Sequence, residues 1–156
     1  MSFATETTVL IVQVAASAAL SVASIYAGVK AFDWFTKGIE ELKEIKKGNV
    51  AVGIVLGAIV IAISLMIAGG IARFAAGLSV DAPIADLLWG AFWNILLVVF
   101  RLVVAILTIF ISFAVLDTLT ADIDEVKELK RGNVAIALVI AAVVLAVSML
   151  MASALG

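Results

Sequence analysis

Residues Val50 to Ile71 read VAVGIVLGAIVIAISLMIAGGI, a run of 22 residues that contains no charged side chain. About 20 consecutive apolar residues are needed to cross the hydrocarbon core of a bilayer as an α-helix. Lipid offers no hydrogen-bonding partner to a peptide group, so a spanning segment must pair its N–H and C=O groups internally, as a helix does. The stretch therefore predicts a transmembrane helix.

Three further apolar runs lie before and after this one, over Val9–Val29, Ile84–Leu116 and Val134–Leu155. The composition agrees with a protein surrounded by lipid, because 65% of the 156 residues are hydrophobic and 14% are charged. Soluble domains are about 45–50% apolar and about 25% charged. We therefore expect an all-α fold, a polytopic membrane protein with four transmembrane helices.

Two charged linkers, residues 30–49 and 117–133, connect the first span to the second and the third to the fourth. They hold eight of the ten Lys and Arg residues of the chain. Short loops on the cytoplasmic side of a membrane carry such an excess of positive charge. The sequence therefore predicts a multi-pass protein of the cell (inner or plasma) membrane, with both linkers in the cytoplasm and both termini outside.

Each linker is predicted to form an amphipathic helix, because apolar residues recur at every third position among charged ones. They are Ile39, Leu42 and Ile45 in the first linker, and Ile123, Val126 and Leu129 in the second. Two interpretations stay open. The linker is either a solvated helix whose charges pair at spacings of three or four residues, or a docking surface for a neighbouring subunit or a cytoplasmic partner.

The two linkers match each other at an offset of 84 residues. Residues 33–51 and 117–135 share eleven identities in 19 pairs, and the match continues into the following spans. We therefore interpret the chain as two tandem units, residues 1–72 and 73–156, within one integral membrane domain. Each unit has two spans, so both units enter the membrane in the same direction, and we expect a rotation about the membrane normal to relate them.

A Gly-Asn step ends both linkers, at Gly48 and Asn49 and again at Gly132 and Asn133. Glycine supplies backbone angles that other residues avoid, and asparagine caps the first N–H groups of a helix. The step is therefore predicted to make a turn and to start the next span. The alternative is that the two asparagines contribute to a polar ring at the inner mouth of an assembly.

The repeated signature resembles that of the YjfL-like inner-membrane proteins, a prokaryotic family classed as domain of unknown function 350. It reads Glu44-Ile-Lys-Lys-Gly-Asn-Val-Ala51 in the first unit and Glu128-Leu-Lys-Arg-Gly-Asn-Val-Ala135 in the second. The resemblance implies a small polytopic envelope protein. It also implies a cytoplasmic membrane-stress protein of the phage-shock or flotillin type as a partner, and it supplies no catalytic residues.

The charge of Arg101 inside the third span is the clearest departure from the repeat, in which it aligns with Ser17. This alignment predicts a depth near the centre of the hydrocarbon core, where an arginine costs at least about 2.5–3.5 kcal/mol. Asn94, Arg101 and Thr108 recur every seven residues and share one face. Gln13 and Ser17 belong to a corresponding polar stripe on the first span. These five residues form the candidate intramembrane polar site, either as a packing seam between helices or as the lining of a water-filled path or anion site.

The residue types disfavour an enzyme, because the chain has no Cys and no His. Thiolate chemistry and the commonest general base are thus missing, and we expect no catalytic residue, no metal and no cofactor. The pI near 5.0 gives no basic surface for nucleic acid. We expect a homo-oligomeric structural or scaffolding module in the lipid bilayer, related to membrane stress. The alternative is an ion channel or transporter that uses Arg101 and the two polar stripes.

Overall fold

The computed structural model describes residues 3–35, 41–78, 83–120 and 123–156, which contain six α-helices. Four are long, and their bounds are α1 Phe3–Phe35, α3 Val50–Gly77, α4 Ile84–Leu119 and α6 Val134–Leu155. The other two are short helices within the linkers, α2 Glu41–Lys46 and α5 Glu125–Lys130.

The four long helices are long and apolar enough to span a membrane. This confirms the predicted all-helical fold with four helices that are able to span a membrane. Three of the helices extend beyond the predicted apolar runs at one or both ends. The extension is largest in α1, which has 33 residues.

Helix α3 lies at the centre of the bundle and packs against α1, α4 and α6. Contacts along its length fix the directions of its neighbours. Gly28 of α1 lies against Ile63, and Gln13 donates to the carbonyl oxygen of Leu78, so α1 runs antiparallel to α3. On α4, Arg101 lies beside Gly70 and Asn94 beside Gly77, so this helix is antiparallel as well.

Helix α6 runs parallel to α3. The start of α3 is next to the junction of α5 and α6, where Asn49 Nδ2 donates to the carbonyl oxygen of Leu129 at 2.9 Å. Further along, the carbonyl oxygen of Gly156 is 3.0 Å from the position that a Cβ on Gly69 would occupy. Both linker helices therefore lie at one end of the bundle, the linker end, and α6 stops at the level of Gly69 below the far end of α3.

The core lies mainly between α3, α4 and α6. It is made of small and branched apolar side chains, among them Ile59, Ala62, Ile63 and Met66 of α3, each 0% exposed. Most of α1 and the outer faces of the other long helices expose large apolar side chains. In water such a surface would be a strong aggregation risk, whereas in a bilayer it is the surface that faces lipid.

Candidate functional site

The guanidinium group of Arg101 lies inside the bundle, where the side chain is 3% exposed. Its Nη2 donates to the carbonyl oxygens of Leu155 at 2.8 Å and of Gly156 at 2.9 Å. Its Nη1 is 3.4 Å from the carbonyl oxygen of Met66 on α3, and Nε has no partner among the described residues. The arginine of α4 therefore joins the end of α6 to the middle of α3.

The end of a helix explains why a cation is stable at this position. The last four carbonyl groups of an α-helix have no partner within the helix, and aligned peptide dipoles give that end a partial negative charge. Arg101 supplies both hydrogen-bond donors and positive charge to the last turn of α6. Backbone oxygens are therefore the polar partners of this charge in the structure.

Two glycines on α3 make room for the arginine. A Cβ on Gly69 would lie 2.7 Å from Arg101 Nη1, and one on Gly70 would lie 3.0 Å from both Arg101 Cδ and Val98 Cγ2. Any side chain at these positions would push the guanidinium or α4 away. The Gly69-Gly70 pair and Arg101 are therefore one packing unit.

The depth of Arg101 in the membrane stays a prediction, and the length of α6 bears on it. Helix α6 has 22 residues, which at a rise of about 1.5 Å per residue makes it about 33 Å long. This is close to the hydrocarbon thickness of about 30 Å. If α6 spans the core, its last turn reaches the boundary opposite the linkers. The guanidinium then lies near that boundary instead of at the centre.

The other residues of the two polar stripes make separate contacts. Asn94 lies against Gly77 at the end of α3. Thr108 is 2% exposed and its hydroxyl donates to the carbonyl oxygen of Val104 within α4. Gln13 Nε2 donates to the carbonyl oxygen of Leu78 at 2.8 Å. The Gln13 bond joins α1 to the end of α3, whereas the Thr108 bond lies within α4, so the packing-seam interpretation of the stripes stays a prediction.

Ser17 opens onto a groove of about 420 Å³ between α1 and α3, whose wall also includes Ser21, Ser64, Ala68 and Ala72. The Oγ of Ser17 is buried and has no hydrogen-bond partner in the described part of the chain. Arg101 does not line this α1–α3 groove. The structure therefore places Ser17 and Arg101, which align in the repeat, in two different environments.

Each linker helix ends in the predicted Gly-Asn turn, and the two turns have the same geometry. Gly48 has φ of 84° and Gly132 has φ of 79°, which confirms the need for glycine. The side chain of Asn49 accepts a hydrogen bond from the Val52 N–H, and that of Asn133 accepts from the Ala135 and Ile136 N–H groups. Both asparagines therefore cap the helix that follows, as predicted.

Two glutamates complete these turns, and the sequence did not predict their bonds to the asparagines. Asn49 Nδ2 donates to Glu44 Oε2 at 3.2 Å, and Asn133 Nδ2 donates to Glu128 Oε2 at 2.8 Å. Lys47 and Arg131 approach the other oxygen of the same carboxylates, at 2.6 and 2.8 Å. Their place in the repeated signature, four residues before each glycine, was the available signal.

These partners lower the pKa of both carboxyl groups. The pKa of Glu128 lies below its ordinary value of 4.5, first because of the hydrogen bond from Asn133 and then because of the bond from Arg131. For Glu44, the hydrogen bond from Lys47 is the larger cause and that from Asn49 the next. The two linkers thus share a geometry, and in each the asparagine and the basic residue both lower the pKa of the glutamate.

We expect these partners to be detected in a carboxyl titration of the ¹³C-labelled protein in detergent micelles. Asn133→Ala and Arg131→Met should each raise the Glu128 midpoint, and Lys47→Met should raise the Glu44 midpoint more than Asn49→Ala does. Since both pKa values are lowered in the folded state, their stabilising effect on the turns is complete above about pH 4.5 and is lost as the pH falls through the lowered values. Wild-type midpoints at or above 4.5 would contradict the geometry.

The described residues contain no group of three or more carboxylate side chains that could hold a metal ion. A family model described as Domain of Unknown Function (DUF350) matches residues 5–155. No curated protein and no solved structure gives a significant match to the chain.

Proposed function

Because the chain belongs to the DUF350 family, a domain of unknown function, we propose from its geometry that it is a homo-oligomeric structural module of the cell membrane. In this proposal the long helices pack laterally in the bilayer, and both charged linkers form one cytoplasmic face with the termini outside. That face is the surface on which a cytoplasmic membrane-stress protein would bind. The chain performs no catalysis.

The observation that carries the proposal is the enclosure of Arg101. A charge inside a membrane protein usually marks an ion path or a binding site. Here the guanidinium is 3% exposed and two of its bonds end on backbone oxygens of Leu155 and Gly156. In this proposal the arginine stabilises the packing of α3, α4 and α6. Its charge, which was the main argument for transport in the sequence, then has a structural role.

Open small-residue surfaces favour an oligomer. Gly53 and Gly57 are four residues apart on α3, and a Cβ on either would meet no atom within 4 Å. Spacing of small residues by four lets membrane helices approach closely. A surface of this kind that no described residue covers is suited to another helix.

A channel or transporter is the second candidate, and the α1–α3 groove is the observation that favours it. Its hydroxyl-bearing wall and the unpartnered Oγ of Ser17 could serve a polar solute. The path would then run between α1 and α3, and Arg101 would stabilise α3 from outside the groove.

Native mass spectrometry and flux assays separate the two proposals. We expect the protein, released from lipid nanodiscs, to have the mass of an oligomer. We expect proteoliposomes to pass K⁺, Cl⁻ and H⁺ no faster than empty liposomes do. A monomer mass, together with the absence of crosslinked neighbours in native membranes, would refute the structural module. Flux that Ser17→Val reduces, while the exposed-face control Val22→Ala leaves it unchanged, would establish the transport alternative.

A further inference from the structure

The α3–α6 interface within one chain uses two distinct helix faces. On α3, four residues at spacings of four, three and four form the covered stripe, Ala51, Val55, Ala58 and Ala62, and they are 0–5% exposed. Gly69 continues this side of the helix and touches the end of α6, so the covered stripe is the side of α3 that faces α6. On α6, the packed face consists of Ala137, Ile140, Ala141, Val144 and Ser148, which are 0–8% exposed.

The offset of 84 residues places the same two faces on the other helix, where they are less covered than their counterparts, and Ser64 on the α3 face also lines the α1–α3 groove. The counterpart of the covered stripe is the open stripe of α6, Ala135, Val139, Ala142 and Ala146, all exposed. The counterpart of the packed face is the open face of α3, Gly53, Leu56, Gly57, Val60 and Ser64, all half-buried or exposed. Each chain therefore carries both halves of a second α3–α6 interface, on opposite sides.

The residue identities support the same conclusion. Between residues 50–71 and 134–155, eight of the 22 pairs are identical, and four of these eight are the stripe positions. Lipid accepts any large apolar side chain on an exposed helix. The open stripe nevertheless keeps three alanines and a valine at the positions where α3 is buried, so its composition is that of a packed surface.

The linkers show the same difference. Leu129 of α5 is 4% exposed, and its carbonyl oxygen accepts the hydrogen bond from Asn49 at the start of α3. Its counterpart in the first linker, Ile45, is 37% exposed. The second interface is thus open at the linker end of the bundle as well as along the spans.

We propose that the open stripe of α6 in one copy packs on the open face of α3 in the next copy, and so repeats between chains the interface that joins α3 to α6 within each chain. This inference rests on the proposed homo-oligomer and specifies its interface. Copies joined in this way lie parallel and at the same depth. The reason is that the two open faces are the repeat counterparts of the two faces that join α3 and α6, which run parallel side by side within each chain. At the linker end, Ile45 of the next copy takes the place of Leu129 as the acceptor for Asn133.

The contact is heterologous, since each copy contributes a different face on each side. Such contacts close into a ring where the rotation between copies allows it and otherwise continue as an open row. In either case, all linkers lie on one side of the assembly.

Disulfide crosslinking in native membranes tests the proposal, because the natural chain has no cysteine. In the double variant Gly57→Cys/Ala142→Cys, each interface between copies has one cysteine on the α3 face of one copy and one on the α6 stripe of the other. No atom of the described residues, Ala142 included, lies within 4 Å of a Cβ on Gly57, so the pair cannot close within one chain without movement. We expect a ladder of dimers, trimers and larger products, with at least tenfold less product from either single variant.

The controls separate the other arrangements. Gly57→Cys/Ile111→Cys places its second cysteine on an exposed residue of α4 at a similar depth and should give no ladder. Dimers from Gly57→Cys alone would show a symmetric α3–α3 contact and overturn the proposal. An oligomer mass without the ladder would overturn this interface and leave the structural module in place, whereas a monomer mass without crosslinks would overturn both.

Discussion

Replacing Arg101 with leucine is expected to lower the stability of the protein in detergent by roughly 3 kcal/mol, because hydrogen bonds to a charged group contribute about 1.5–3 kcal/mol each. The substitution removes the two short bonds to the carbonyl oxygens of Leu155 and Gly156. Leucine cannot pair these groups, and a backbone oxygen without a partner is costly away from water. Thermal melting followed by circular dichroism measures the loss.

The damage should concentrate at the far end of the bundle. Hydrogen exchange followed by mass spectrometry is expected to show faster exchange in the last turns of α6 and at Gly69 and Gly70, with the linker turns unchanged. Lysine at position 101 keeps the charge but presents a single ammonium group, so Arg101→Lys should fall between the wild type and Arg101→Leu.

Arg73→Leu is the matched control, because Arg73 is an exposed arginine of α3 and the change removes the same charge. We expect it to alter stability by less than about 1 kcal/mol, as exposed charges usually do. Equal melting temperatures for the Arg73→Leu and Arg101→Leu variants would show that the end of α6 does not depend on Arg101.

The spans and the Gly-Asn turns followed from the sequence because both depend on local rules. An apolar run of membrane length must be helical whatever surrounds it. When a glycine is followed by an asparagine between two helices, the glycine provides the backbone angle of the turn and the asparagine side chain caps the next helix. Gly132 and Asn133 therefore have the backbone angles and the bonds that their types predict.

The surroundings of Arg101 did not follow from the sequence, because they depend on where helices end relative to one another. The repeat aligned Arg101 with Ser17 and predicted a central depth. The structure instead pairs it with the last turn of α6, 54 residues away in the chain. A sequence pattern gives the face on which a residue lies, but it does not give the level at which a neighbouring helix stops.

The glutamates of the turns lie between these cases. Glu44 and Glu128 could be placed five residues before each asparagine, but charges at nearby lysines offered competing partners. Only the folded turn brings each asparagine amide to the carboxylate. The side-chain oxygen of each asparagine caps the next helix, and its side-chain NH₂ group then donates to the glutamate carboxylate.

The second large effect is expected from Gly132→Val, which should destabilise the junction of α5 and α6 by about 1–3 kcal/mol, the usual cost of forcing a side chain into a sparsely populated backbone conformation. Gly132 has φ of 79°, and its N–H donates to the carbonyl oxygen of Leu129 while the N–H of Asn133 donates to that of Glu128. These two bonds end α5 in the left-handed glycine turn that terminates many helices. A β-branched residue cannot adopt this angle without strain, so the bonds and the cap of α6 should loosen together.

Two variants separate backbone strain from added bulk. Gly132→Asn should lose less than half as much stability, because asparagine tolerates the left-handed region better than valine does. Gly90→Val adds the same side chain within α4, where a Cβ meets no atom within 4 Å, and should leave the melting temperature nearly unchanged. Faster hydrogen exchange at Asn133 through Ala137 in Gly132→Val, but not in Gly90→Val, would locate the effect at the turn. If Gly132→Asn and Gly132→Val lowered the melting temperature equally, the positive φ of Gly132 would not be the cause of the loss.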